Sequence, residues 1–129
     1  MATIFSRIVA GEIPCYKVAE DEHHLAFLDI LPIAKGHILV IPKREVDKIW
    51  DLSDEEFLLL QLFAKRVAKR MEEVFPCKRI GTAVVGLEVP HAHIHLVPMN
   101  EIGDISFTKE RLKFTTEEYQ QMVKAMMGI

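Results

Sequence analysis

Three histidines at alternate positions, His91, His93 and His95, in a segment bounded by Pro90 and Pro98, constrain this chain more than any other feature of its sequence. Extended backbone has a side-chain period of two, so all three imidazoles are expected to leave one face of a strand, about 6.6 Å apart at each step. Ala92, Ile94 and Leu96 then take the opposite face, which suits packing against a helix. Histidine brings a strand no packing advantage over Thr or Val, so three of them call for a chemical reason. Two chemistries compete. One is a metal site, because a His-x-His pair with a third imidazole is an accepted zinc constellation, and His37 and Glu88 could complete its shell. The other is covalent catalysis, in which one imidazole attacks while its neighbours orient it and bind charge.

The rest of the chain supplies a scaffold for such a strand. Ile4 to Val9 reads as a short helix or turn, followed by the Gly11-Glu12-Ile13-Pro14 connection. Tyr16 to Ala19 and Leu25 to Ile30 read as two strands turned at Glu20-Asp21-Glu22, and His37 to Ile41 is a β-branched run typical of a central strand, ended by Pro42. Ser53-Asp54-Glu55-Glu56 is a capping box that opens a long helix with apolar residues at Leu60, Phe63, Val67 and Met71, closed by Pro76. Lys65, Arg66, Lys69 and Arg70 sit in its C-terminal half and read as a solvated basic face. Ile80 to Val85 is a further strand, and Thr115 caps a last amphipathic helix ended by Gly128. The expected fold is α+β: an antiparallel sheet of about five strands with one long helix and short terminal helices, in a single domain over 1–129.

Composition excludes several partners. With 16 Lys plus Arg against 19 Asp plus Glu, the net charge of −3 provides no positive field for DNA or RNA. No apolar run approaches the roughly 20 residues of a membrane span, and the N-terminus lacks a secretory pattern, so a cytoplasmic protein is expected. Cys15 and Cys77 are far apart with no metal-ligand spacing, as in a reduced intracellular chain.

The His91-Ala92-His93-Ile94-His95 run resembles the His-x-His-x-His motif that defines the histidine triad (HIT) family, and three more segments agree in the same order. Thr3 to Ile8 with Gly11 to Pro14 resembles the family's N-terminal signature, Leu25 to Ile30 with Pro32 its nucleoside-binding strand, and Gly36 to Lys43 its central strand. The match spans about residues 3–98, and 100–129 is an unplaced extension with a helix. The resemblance implies a HIT-like fold and a hydrolase or transferase acting at the α-phosphate of purine nucleoside phosphoramidates or related phosphoanhydrides. Such enzymes include adenosine 5'-monophosphoramidases and dinucleoside polyphosphate hydrolases. It makes His93 the nucleophile, oriented by the His91 carbonyl, with His95 on the phosphate and leaving-group side and His37 in support. Ile4, Phe5, Ile8 and Phe27 would line the base, with Asp29 on the ribose hydroxyls and Ile30 beside it. The resemblance also implies a homodimer joined edge to edge and through the long helix, and no cofactor.

Two departures from the family stand out. Thr3, Ser6 and Glu45 occupy positions where many bacterial relatives hold a structural zinc with two cysteines and a histidine, and oxygen ligands are poor replacements, so no metal is expected. Glu88 stands where relatives carry an amide or hydroxyl, and could select a cationic leaving group, act as a general acid, or face solvent. A non-catalytic nucleotide-binding module, or a His-ligated metal site, remains the alternative reading.

Overall fold

Strands that are apolar on both faces must be covered on both, and two such strands organise this chain. In the computed structural model, which describes residues 2–128, β2 (His24–Leu28) and β3 (Ile38–Pro42) are buried along their whole length. The two terminal positions of the expected 1–129 domain lie outside the described residues. β2 and β3 belong to a five-stranded antiparallel sheet whose order is β1 (Tyr16–Glu20), β2, β3, β5 (Ile94–Met99), β4 (Arg79–Ala83). Alternation along the strands sends Ala26, Leu28, Ile38 and Val40 into one core and Leu25, Phe27, Leu39 and Ile41 into a second.

The first core is closed by two amphipathic helices. α2 (Asp54–Val74) contributes Leu60, Phe63, Ala64, Val67 and Met71, and α3 (Thr116–Met127) contributes Tyr119, Met122 and Met126. Full burial of side chains of this size stabilises the fold by roughly 1.5–3 kcal/mol each. Both helices start at reciprocal caps: Ser53 accepts from the Glu56 amide while Glu56 accepts from the Ser53 amide, and Thr115 and Glu118 repeat the arrangement. The second core is smaller and closed by α1 (Ile4–Val9), whose Phe5 lies on Phe27 with ring centroids 5.6 Å apart.

The α+β fold and the element order are as expected, but several boundaries move. β2 stops at Leu28 rather than Ile30, because Asp29 turns the chain and its carboxylate accepts from the Leu31 amide. The largest change is in the triad segment. His91 and His93 precede β5, which begins at Ile94; the His91 amide closes a turn to Val89 and the Ala92 amide bonds to Val46, so neither belongs to the sheet ladder. Periodicity survives nonetheless: Ala92, Ile94 and Leu96 join the first core, and His95 sits opposite Leu39 on the second-core face. The last turn of α2 carries no base; Arg70 instead reaches the Met126 and Ala125 carbonyls at the end of α3. Both cysteines are free, and among the described residues no helix is long and apolar enough to cross a membrane.

Gly36, just before β3, has φ +88°, and a Cβ placed there would lie 2.9 Å from three ring carbons of buried Phe75. Gly11 has a similar φ of +79° with open space around it. Gly11→Ala is therefore expected to cost about 1–2 kcal/mol, from backbone strain alone. Gly36→Ala adds a packing clash of about 1–3 kcal/mol. Thermal unfolding of the two variants side by side checks the difference; equal losses would remove the ring contact as a cause.

Candidate active site

Each imidazole of the site has one nitrogen committed to a partner that decides where its proton sits. His93 Nδ1 lies 2.7 Å from the His91 carbonyl, an acceptor only, so Nδ1 carries the proton and Nε2 holds a free lone pair. His91 Nε2 donates to the Pro42 carbonyl at 2.8 Å, and its Nδ1 accepts from the Thr3 hydroxyl at 3.0 Å. On the other side, the Ile33 amide donates to His37 Nδ1 at 3.1 Å, which puts the His37 proton on Nε2. That proton is donated to His95 Nδ1 at 3.0 Å, so His95 in turn carries its proton on Nε2. The result is an acceptor nitrogen on His93 beside a donor nitrogen on His95, with ring centroids 4.9 Å apart. Among the described residues neither Nε2 has a protein partner, and neither is a sealed-off orphan, so both open outward from rings only 6% and 8% exposed.

The site rests on the second core. Phe5 meets His93 edge-on at 5.0 Å and His91 at 5.9 Å, with Phe27 behind it. Ile8 packs against the same cluster, whereas Ile4 and Ile30 are 46% and 66% exposed at its margin. Asp29 is brought to the imidazoles: its Oδ2 is 3.6 Å from His37 Nε2, too long for a hydrogen bond. Glu88 is exposed and, among the described residues, makes no ion pair.

Ligand atoms of Asp29, His37 and His95 lie within 4.8 Å of one another, the one grouping among the described residues that could suggest a metal. Its chemistry argues otherwise, since His37 Nε2 holds the proton it donates to His95 and offers no lone pair there. Glu88 is not part of the group. The zinc-replacing positions do meet: Thr3 hydrogen-bonds to His91, Ser6 and Glu45. The Ser6 hydroxyl and the Thr3 amide hold the Glu45 carboxyl below its usual range. Oxygen donors already engaged with one another, and an imidazole nitrogen already accepting a proton, do not fit a structural zinc. Thr3 instead joins the site as the partner that fixes His91.

Sequence reasoning missed residues of the extension, Phe107 and Arg111 among them. Phe107 lies on His95 at 4.5 Å and on His37 at 6.3 Å, and Arg111 stands over the Phe107 ring at 6.0 Å. The single trace in the sequence is an aromatic and a cation four residues apart in a polar stretch.

Burial lowers the affinity of these imidazoles for a second proton. It takes His37 from 6.5 to about 4 and His95 to about 3, with nearby positive charge from Arg111 and from neighbouring imidazoles adding to the effect. Burial also lowers His91, against the opposing pull of the Pro42 carbonyl. His37 and His95 are thus neutral at physiological pH. Because the unfolded chain binds protons on these groups below pH 6.5 and the folded chain does not until far lower, stability is complete above 6.5 and falls on acidification. Melting temperature should drop between pH 7 and about 5, ahead of most carboxylate titration. The slope should be shallower in His37→Asn; an unchanged slope would contradict a neutral buried His37.

The comparisons with known proteins follow the geometry. The HIT domain model matches residues 10–102. The adenosine 5'-monophosphoramidase of Schizosaccharomyces pombe is 38% identical over 133 residues, covering 96% of this chain and 100% of that protein. A crystal structure of a Hit-like protein involved in cell-cycle regulation from Bartonella henselae superposes with a TM-score of 0.85 at 27% identity, covering 98% of this chain and 94% of the other. A zinc-bound histidine triad family protein from Mycobacterium smegmatis gives 0.81 at 29% identity with the same coverage. With its triad placed on the open face of a HIT-type sheet and its sequence matched across most of its length, this chain belongs to the HIT family.

Proposed function

We propose that the protein hydrolyses purine nucleoside 5'-phosphoramidates or related phosphoanhydrides through a nucleotidyl-histidine intermediate on His93. The observation that carries this reading is the bond from His93 Nδ1 to the His91 carbonyl, which leaves Nε2 unprotonated and facing outward. In the first step Nε2 bonds to the α-phosphorus as the bond to the leaving group breaks, a departing amine taking a proton from solvent. In the second, water attacks the phosphorus, its oxygen joining the nucleoside monophosphate and its proton passing to solvent, as the phosphorus–nitrogen bond breaks and the imidazole returns with Nδ1 still protonated. His95 donates from Nε2 to the charge that develops during transfer, an interaction typically worth about 10²–10³ in rate, and His37 keeps His95 in the donating tautomer.

The nucleoside lies against Phe5, Ile8 and Phe27, with Ile4 and Ile30 at the rim and Asp29 Oδ2 accepting from the ribose. In this reading Glu88, which is exposed, selects a cationic leaving group. Similarity to an adenosine 5'-monophosphoramidase supports adenosine phosphoramidate as the first substrate to assay. AMP release from it should fall by at least about 10³-fold in His93→Ala and by about 10²–10³ in His95→Ala. AMP binding without turnover in the wild type would instead make the chain a nucleotide-binding module.

The partner in this reading is a second copy of the chain. β4 is an outer strand with an unpaired edge, and Leu58, Leu59 and Leu62 are exposed on α2, which packs beside it. Light scattering should give twice the 14.8 kDa chain mass, and Leu62→Glu should shift it toward the monomer. A wild type that stays monomeric at micromolar concentration would reject the dimer.

A further inference from the structure

Asp29 brings a carboxylate to His37 and His95, and all but one of its polar atoms are tied. Its amide donates to the His37 carbonyl at 3.0 Å, its Oδ1 accepts from the Leu31 amide at 2.9 Å, and its carbonyl accepts from the Tyr119 hydroxyl at 2.8 Å. Only Oδ2 is left open. Two of these ties come from the adjacent chain, but the third arrives from α3, 90 residues further on.

Tyr119 does not act alone on this loop. Arg111 Nη1 donates to the Leu31 carbonyl at 2.8 Å, and the Leu112 amide donates to the Pro32 carbonyl at 2.9 Å. Three carbonyls within residues 29–32 are therefore held by the C-terminal segment, outside the stretch that the HIT model matches. The loop needs such help, because Ile30 and Leu31 are 66% and 60% exposed and contribute little packing of their own. Tyr119 is well placed to supply it. Its ring is stacked on Tyr16 at 4.4 Å and 6°, edge-on to Phe114 at 5.8 Å, so packing alone sets the position of the hydroxyl.

We propose that Tyr119 and Arg111 are positioning residues for nucleoside recognition: they anchor residues 29–32 so that Asp29 Oδ2 meets the ribose hydroxyls of a bound purine nucleotide. The inference rests on the assignment of Asp29 to the ribose. Neither side chain touches the substrate; both act on affinity through the loop. Tyr119→Phe removes the hydroxyl while keeping the stacked ring, so the fold is retained and the tie to Asp29 is lost.

Titration calorimetry with AMP and with 2',3'-dideoxy-AMP, which lacks the hydroxyls, tests this on the full chain. In Tyr119→Phe the Kd for AMP should rise about 3- to 10-fold, the effect of one hydrogen bond, while the Kd for the dideoxy nucleotide stays at the wild-type value. Turnover of adenosine phosphoramidate should show the same rise in KM with kcat within about twofold. Arg111→Met should reproduce the loss of preference, and supplies the test if Tyr119→Phe does not accumulate. Unchanged AMP affinity, or an equal loss for both nucleotides, would overturn the positioning role. A wild type that binds both nucleotides equally would instead remove the ribose assignment of Asp29, and the inference with it.

Discussion

Backbone groups dictate the protonation pattern of this site. An imidazole with two equivalent tautomers is an ambiguous catalyst, since the same nitrogen can present a lone pair or a proton. Here the His91 carbonyl sets His93, the Pro42 carbonyl sets His91, and the Ile33 amide sets His37 and through it His95. Main-chain donors and acceptors cannot change their character, so they impose a fixed order of acceptor and donor on rings that could otherwise switch. Burial then disfavours the charged forms of His37, His91 and His95, which helps to preserve that order.

For the backbone to hold that role it must itself be rigid, and the two-sided sheet makes it so. β2 and β3 are packed on both faces, so the strand ends that lead to Asp29, His37 and Pro42 are anchored in two cores at once. The helical face carries most of the apolar burial; the other face, covered by α1 and at one end by Phe107, leaves room for the imidazoles beside Phe5. Concave regions of about 400 and 340 Å³ lie along α2, the first lined by Lys65, Arg66, Lys69 and Arg70 and the second by Arg66 and Arg70 with Val18 and Ala19 of β1. Stability and chemistry are thereby divided between the two sides of one sheet.

The C-terminal segment extends this division. α3 closes the first core with Met122 and Met126, yet its Tyr119 passes a hydroxyl to the Asp29 carbonyl at the edge of the site. Phe107 and Arg111, in the irregular stretch before it, lie against His95 and the residue 29–32 loop. One element thus links the packing of the helical face to the geometry of the reactive one.

Much of this was legible in the residues themselves. Period-two alternation placed Ala92, Ile94 and Leu96 in the core and the histidines opposite, and the Ser53 and Thr115 capping boxes located both long helices, because these signals are local and follow from backbone geometry. His91 and His93 were misassigned to a strand because alternation reports which way side chains point, and extended backbone outside a ladder has the same period. Sequence alone determined the residue types and the facing of the triad. Only the tertiary structure decided which nitrogen of His37, His91 and His95 holds its proton, and that Thr3, Phe107, Arg111 and Tyr119 surround the site. Those outcomes depend on hydrogen bonds and ring contacts between segments from 4 to 90 residues apart, and no local pattern encodes such distances.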